Sequence, residues 1–145
     1  DVQRWRNDAE PVFGRAIHDY VPLYFNPLNA MLYKRRELRH SLAICAIPIQ
    51  RLLNKQHVFT DGNAASRSTS FSSDINLVRT SDSVLKARSW SDLPDGRRRR
   101  CAEMLIYECV PSNAIAKIYC YSARSQHMVA AVAPCQVLID QSMFY

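Results

Sequence analysis

Residues 98–110 place the last three of four consecutive arginines before an apolar segment with strand spacing, and this constrains the fold more than any other feature. Read with the two-residue period of a β-strand, Glu103, Leu105 and Tyr107 lie on one face, and the residues between them lie on the other. The sequence therefore predicts a strand with one carboxylate, Glu103, at its entrance.

The charge of Glu103 follows from its neighbours in sequence. Guanidinium groups favour the ionised form, so the arginines are expected to lower the pKa of Glu103 and keep it charged near neutrality. A permanently charged carboxylate suits the stabilisation of a developing cation better than it suits proton donation. The alternative is that the arginines form a solvated turn and that Glu103 is only their ion-pair partner.

Length and charge indicate a single domain with one basic region. The chain has 145 residues, 48% of them hydrophobic, which is enough for a real core. Lysine and arginine outnumber aspartate and glutamate by 19 to 13, and without the four arginines 97–100 the net charge falls from +6 to +2. This local basicity favours an anionic ligand or nucleic acid bound at one place.

Cysteine and histidine patterns predict no metal. The five cysteines include no CxxC pair, and the four histidines are far apart in sequence. Reduced thiols suit a reducing cytosol, and no apolar run or signal-peptide pattern points to a membrane or to export. We therefore expect a soluble, cytoplasmic protein.

The pattern along the chain predicts an α+β fold with a central mixed or antiparallel sheet and flanking helices. Residues 64–73, rich in small and hydroxyl side chains, are expected to form either a mobile loop or a surface that receives a ligand. The predicted helices cover residues 74–90, capped by Ser73, and 123–133. The predicted strands cover residues 20–25 (an edge or irregular strand, because of Pro22), 41–49 (a buried central strand), 57–60, 115–121 and 135–139, besides the strand that begins at Glu103.

Four sequence blocks together resemble a known family. They are HDYVPLYFNP at residues 18–27, MLY at 31–33, FTDGNAA at 59–65 and RRCAEML at 99–105. Their order and spacing resemble DarT, the ADP-ribosyltransferase toxin family of DarTG toxin–antitoxin systems. The resemblance covers nearly the whole chain.

The resemblance implies an ADP-ribosyltransferase fold that uses NAD⁺ as co-substrate, without a metal, and modifies a thymine base in single-stranded DNA. The family's catalytic glutamate lies in an A-E-x-L block, which Glu103 matches here. Breaking the nicotinamide–ribose bond creates an oxocarbenium-like ribose, and an oriented carboxylate can offset that charge. Glu103 is therefore the predicted catalytic carboxylate.

The family also has an arginine, upstream of the H-D-Y block, that handles the thymine proton. Arg6 is the better match to this arginine, and Arg4 is the second choice. We also assign Arg4 to cofactor binding. An arginine is a poor base, so polarising the thymine or relaying its proton is the expected role. The alternative is that Arg6 pairs with Asp8 or Glu10 on a surface.

Further contacts are expected on either side of Glu103. Tyr20 and Phe25 could stack on the cofactor, although aromatic residues in a strand are more often core. By resemblance, the segment from Asn63 to the arginine run presents DNA, with Arg97 and Arg98 holding phosphates. The implied partners are thymine-containing single-stranded DNA and a macrodomain antitoxin of DarG type.

Three departures from the family pattern qualify these expectations. The chain starts at Asp1 in a polar stretch, so we expect an N-terminally incomplete DarT-like domain over residues 1–145 that lacks a histidine that helps to hold NAD⁺. Leu28 stands where relatives carry an arginine, and Asn63 stands where some have a histidine. The alternatives are therefore a catalytically weak or inactive nucleic-acid-binding module, and a related transferase acting on RNA or protein.

Overall fold

The computed structural model describes residues 6–78, 82–87 and 89–145. The strands are β1 (Tyr20–Tyr24), β2 (Ala43–Ala46), β3 (His57–Thr60), β4 (Phe71–Ser72), β5 (Glu103–Tyr107), β6 (Lys117–Cys120) and β7 (Gln136–Ile139). The α-helices are α1 (Ala30–Lys34), α2 (Ile75–Val78), α3 (Asp82–Lys86), α4 (Gly96–Arg99) and α5 (Ala123–Ala130).

The chain divides into two compact units. The first comprises Asp1–Asn29 and Lys55–Cys109, and the second comprises Ala30–Asn54 and Val110–Tyr145. Each contains a sheet and helices, as the α+β class requires. That residues 1–145 form one domain stays a prediction.

The first unit contains an antiparallel sheet in the order β1–β5–β3–β4. β5 pairs with β1 on one side and with β3 on the other, and its residues 103–106 are all buried. A strand covered on both faces needs apolar residues at successive positions, which explains the run Met104–Ile106. The predicted strand is confirmed, and it begins at Glu103.

The edge position of β1 follows from its proline. Pro22 lies opposite Leu105 of β5, and β1 is at the end of the strand order. Because proline has no N–H to donate, a sheet tolerates it at an edge. Of the two predicted forms, an edge strand or an irregular strand, the structure has the edge strand, and the register of β1 places Tyr24 directly opposite Glu103.

Helical structure near residues 74–90 is shorter than predicted. The described part consists of α2 and α3, while residues 79–81 and 88 lie outside the described residues. α3 ends at Lys86, and residues 87, 89 and 90 are not helical. Val78 and Val84 are buried but Leu77 is 76% exposed, so the apolar stripe is too sparse to anchor a long helix.

The second unit contains a sheet in the order β2–β6–β7, in which β6 runs antiparallel to β2 and parallel to β7. Its core includes Ile118, Cys120 and Val137. The prediction of a buried central strand over residues 41–49 is wrong, because β2 lies at the end of the order and exposes Ala43 and Cys45. Small side chains in an apolar run tolerate this exposure, and the central strand is β6.

α5 connects the two parallel strands of this unit. Ser122 caps its N-terminus by accepting a hydrogen bond from the Ser125 N–H, and the Ser125 side chain returns to the backbone of Ser122. The helix ends at Ala130, earlier than the predicted residue 133. Among the described residues, no helix has the length and apolar character needed to cross a membrane.

Candidate active site

Glu103 is a buried carboxylate at the first position of β5. It is 1% exposed, and each of its oxygens has a separate partner. The Ala64 N–H donates to Oε1 at 2.8 Å, and Nη2 of Arg6 lies 3.5 Å from Oε2. A backbone dipole and a guanidinium therefore hold the carboxylate from two sides.

The backbone of Glu103 is fixed by Thr60, the last residue of β3. The Thr60 hydroxyl accepts a hydrogen bond from the Glu103 N–H at 3.1 Å and donates one to the Gly62 carbonyl at 2.7 Å. Thr60 is 1% exposed, so this link is shielded from competing water. It joins the start of β5 to the turn that carries Ala64.

The ionisation of Glu103 differs from the sequence prediction. Burial raises the pKa of Glu103 to about 7, although the Ala64 N–H and the charge of Arg6 act to lower it. The prediction that the arginine run would lower this pKa is wrong, because Arg98 and Arg100 direct their guanidinium groups to other partners. Glu103 is therefore divided between its neutral and charged forms near neutral pH.

Arg6 comes to Glu103 from 97 residues earlier in the chain. Its side chain is 18% exposed, and its Nε is buried without a hydrogen-bond partner among the described residues. The alternative pairing with Glu10 does not occur, because Glu10 is enclosed by the N–H groups of residues 12, 13 and 15 and by the Tyr20 hydroxyl. The structure thus brings together the two residues assigned to catalysis, with the Arg6 side chain still partly exposed.

The aromatic residues assigned to the cofactor separate into two cases. Tyr20 is 5% exposed, belongs to the core of the first unit and donates its hydroxyl hydrogen to Glu10 at 2.8 Å. Its assignment as a cofactor contact is corrected to a core role, since no ring face is free for stacking. Phe25 is half-buried, stacks on Phe59 at 6.3 Å between ring centroids, and donates its N–H to the carbonyl of Ala102. Phe25 therefore lies beside the entrance of β5.

Arg98 does not have the free guanidinium that a phosphate contact requires. Its Nη1 and Nη2 lie 2.8 and 3.3 Å from the two carboxylate oxygens of Asp61, and its Nε donates to Asp95. The assignment of Arg98 to DNA binding is corrected to an internal ion pair, because these contacts occupy the guanidinium and leave the side chain 14% exposed.

The remaining assignments lie at or near the surface. Arg97 is exposed on α4, and half-buried Asn63 accepts a hydrogen bond from the Ala65 N–H at 3.0 Å through its Oδ1. Arg4 lies outside the described residues. Arg97 and Asn63 remain candidates for DNA contact.

Sequence reasoning missed the supports of this site. The D-G-N signal predicts a turn near Thr60, Asp61 and Ala64. It does not predict their contacts with Glu103 and Arg98, because those contacts depend on strand pairing. Ala64 contributes only a backbone N–H, which side-chain chemistry cannot reveal.

Arg100 is a further support that was missed. It is 3% exposed, and its guanidinium donates to the carbonyls of Leu28 at 2.8 Å, Val84 at 2.6 Å and Ala87 at 3.0 Å. Arg100 thus ties the segment at Leu28 to the end of α3.

Comparison with known proteins identifies the family. The family model described as the ssDNA thymidine ADP-ribosyltransferase DarT matches residues 2–145. The chain therefore belongs to the DarT family.

Curated relatives are longer than this chain. It is 33% identical over 123 residues, 81% of its length, to a DNA ADP-ribosyl transferase–DNA ADP-ribosyl glycohydrolase fusion protein of Thermosipho africanus (strain H17ap60334). It is 30% identical over 136 residues, 85% of its length, to a DNA ADP-ribosyl transferase of Thermus sp. (strain 2.9). The chain spans 31% of the first relative and 65% of the second.

Solved structures confirm the predicted ADP-ribosyltransferase-like fold. Thermus sp. 2.9 DarT in complex with ADP-ribosylated ssDNA superimposes with a TM-score of 0.89 at 26% identity, covering 99% of this chain and 78% of that one. The same protein in complex with NAD⁺ gives a TM-score of 0.81 at 25% identity, covering 88% of this chain and 73% of that one.

Proposed function

We propose that this chain transfers ADP-ribose from NAD⁺ to a thymine base in single-stranded DNA. The observation that carries the proposal is the ion pair between Arg6 and Glu103, in which Nη2 lies 3.5 Å from Oε2. The two residues lie near opposite ends of the sequence of the first unit. Family membership and the NAD⁺ and ADP-ribosylated ssDNA complexes of the Thermus relative support it.

The proposed reaction assigns each residue a separate step. The bond between the anomeric ribose carbon and the nicotinamide nitrogen breaks, its electron pair leaves with nicotinamide, and positive charge develops on the ribose. Ionised Glu103, held by the Ala64 N–H, lies in a site dry enough for its charge to stabilise that cation strongly. The anomeric carbon then bonds to the thymine ring nitrogen that carries a proton, and that proton passes to solvent water.

Arg6 fits the role of orienting the thymine. Its Nη2 is directed at Glu103, and its guanidinium side chain is 18% exposed, so an N–H of this group can be offered to a ligand. A donor of this kind can polarise a thymine carbonyl, which makes the neighbouring ring N–H more acidic without requiring arginine to act as a base.

Mass spectrometry of modified oligonucleotides tests this proposal. The chain, NAD⁺ and a thymine-containing single-stranded oligonucleotide should give a single ADP-ribose adduct. Glu103→Gln should reduce the rate at least about 100-fold, as loss of a transition-state charge contact does. Glu108→Gln is the matched control, because Glu108 follows the same strand but is exposed and should leave the rate unchanged.

Two further substrates sharpen the test. A thymine-free oligonucleotide and an RNA of the same sequence should remain unmodified. Modification by the Glu103→Gln variant would contradict the catalytic assignment, and modification of RNA or of the chain's own side chains would replace DNA as the substrate. DNA binding without any adduct would favour the alternative of an inactive binding module.

We further propose that the chain acts as a toxin in the cytoplasm, where DNA and NAD⁺ are available, with a DarG-type macrodomain as its antitoxin. ADP-ribose on the pairing edge of thymine would block copying of the template. The fused transferase and glycohydrolase of the Thermosipho relative support such a pair. Adding a DarG-type macrodomain to the modified oligonucleotide should restore the original mass, and an adduct that resists it would exclude that partner.

A further inference from the structure

Arg98 holds both ends of the loop that runs from residue 61 to residue 70. Its guanidinium makes a two-pronged ion pair with Asp61 and also donates from Nη1 to the Thr69 hydroxyl at 3.2 Å. Its backbone carbonyl accepts the Asn63 N–H at 3.0 Å. One arginine therefore contacts the start, the turn and the end of this loop.

The loop is closed around these contacts. The Thr69 hydroxyl donates to the Asn63 carbonyl at 2.7 Å, and Asp61 Oδ1 accepts the Ser70 N–H at 2.9 Å. Gly62 passes so close to Arg98 that a Cβ there would overlap its guanidinium. The position of the loop is thus set by the Arg98 side chain at short range.

The same loop carries the amide that binds Glu103. Ala64 is 3% exposed and donates its N–H to Glu103 Oε1 at 2.8 Å. A displacement of this turn by 1 Å would break that bond, because hydrogen bonds weaken steeply beyond about 3.5 Å.

We propose that Arg98 is a positioning residue, which keeps the loop at residues 61–70 in place so that the Ala64 N–H stays on the Glu103 carboxylate. The effect of Arg98 on catalysis rests on the proposed function. The contacts of Arg98 with the loop do not depend on that function. Arg98 thus acts on the carboxylate through backbone geometry and not through its own charge.

The groups around Glu103 make this role measurable. Arg6 faces it from the N-terminal segment, Tyr24 lies opposite on β1, and Thr60 and Ala64 reach it from β3 and the following loop. Arg6 carries the one charge in contact with Glu103 among the described residues. Losing the Ala64 bond with Arg6 in place should therefore raise the pKa of Glu103 further.

Carbon-13 NMR of the glutamate carboxyls provides the test. The chain has four glutamates, so labelling the side-chain carboxyl gives few signals, and the Glu103→Gln spectrum identifies the one that matters. In Arg98→Gln the Glu103 titration should move upward by about one pH unit, the scale on which one hydrogen bond to a carboxylate acts. The pH profile of ADP-ribose transfer should move in the same direction.

The controls separate positioning from general damage. Asp95→Asn removes the exposed ion pair of Arg98 but leaves the Asp61 pair, and asparagine suits the positive φ of 51° at this position. It should leave the Glu103 titration unchanged. Arg98→Lys, which keeps one bond to Asp61, should move the Glu103 titration upward by less than Arg98→Gln does. If Arg98→Gln does not fold, Asp61→Asn takes its place in the test.

An unchanged Glu103 titration in a folded Arg98→Gln or Asp61→Asn variant would overturn the proposal. Failure of the proposed function would look different. If the unsubstituted chain made no adduct but Arg98→Gln still moved the titration, the positioning role would stand and the assigned reaction would not.

Discussion

Replacing Glu103 with glutamine should stabilise the first unit, and by an amount that grows with pH. Burial raises the pKa of Glu103 from an ordinary value of 4.5 to about 7. The folded state therefore keeps a proton that the unfolded chain has already lost between those two pH values. The carboxyl's contribution to stability falls as pH rises through this window and levels off above it.

The size of the effect follows from the difference in pKa. One pH unit corresponds to about 1.4 kcal/mol, so holding Glu103 ionised in the fold costs about 3 kcal/mol at high pH. Glutamine has a similar shape and no proton to lose. Its advantage over glutamate should therefore increase by about 2–3 kcal/mol from about pH 5 to about pH 8.

Urea unfolding followed by tryptophan fluorescence measures this change, because Trp90 belongs to the first unit. Glu108→Gln is the control and should follow the unsubstituted chain at every pH, since Glu108 is exposed. Parallel stability curves for Glu103→Gln and the unsubstituted chain would refute the reasoning. They would mean that Arg6 and the Ala64 N–H fully compensate burial of the charge.

Three other outcomes follow from the same contacts. Gly62→Ala should cost about 1–3 kcal/mol of stability in urea unfolding, because the added methyl overlaps Arg98; equal stability would show that the loop can shift freely. Arg97→Gln should weaken single-stranded DNA binding and reduce its salt dependence by about one phosphate contact in titrations at several salt concentrations; an unchanged salt dependence would show that Arg97 does not contact the DNA. NAD⁺ binding near pH 7 should release protons, because the cationic nicotinamide favours ionised Glu103; calorimetry in buffers of different ionisation enthalpy should detect this, and Glu103→Gln should abolish it.

The sequence predicted the strand that begins at Glu103 because its signal is local. A short apolar run that follows a polar turn is most readily buried as a strand. Pro22 identified β1 as an edge strand for an equally local reason. The assignment of Arg6 and Glu103 to one site came from family resemblance alone, since 97 residues separate them.

The ionisation of Glu103 could not be predicted in this way. The arginine run is adjacent in sequence, but Arg98 turns to Asp61, while the desolvation of Glu103 comes from strands on both sides of β5. Desolvation is a property of the packed sheet, and no spacing of charges along the chain reports it. The prediction of a central strand over residues 41–49 was wrong for a related reason. Apolar character alone does not distinguish a central strand from an edge strand of small residues.

The burial that disfavours charged Glu103 is also what would make that charge effective. In a site open to water, the carboxylate would ionise easily, but solvent would screen its attraction for a ribose cation. At 1% exposure the same attraction is largely unscreened, and the Ala64 N–H and Arg6 return enough stabilisation for ionisation near neutral pH. The loop held by Arg98 therefore affects catalysis through the charge of Glu103. It supplies the Ala64 N–H hydrogen bond that lowers the pKa of this carboxyl and so allows it to ionise near neutral pH.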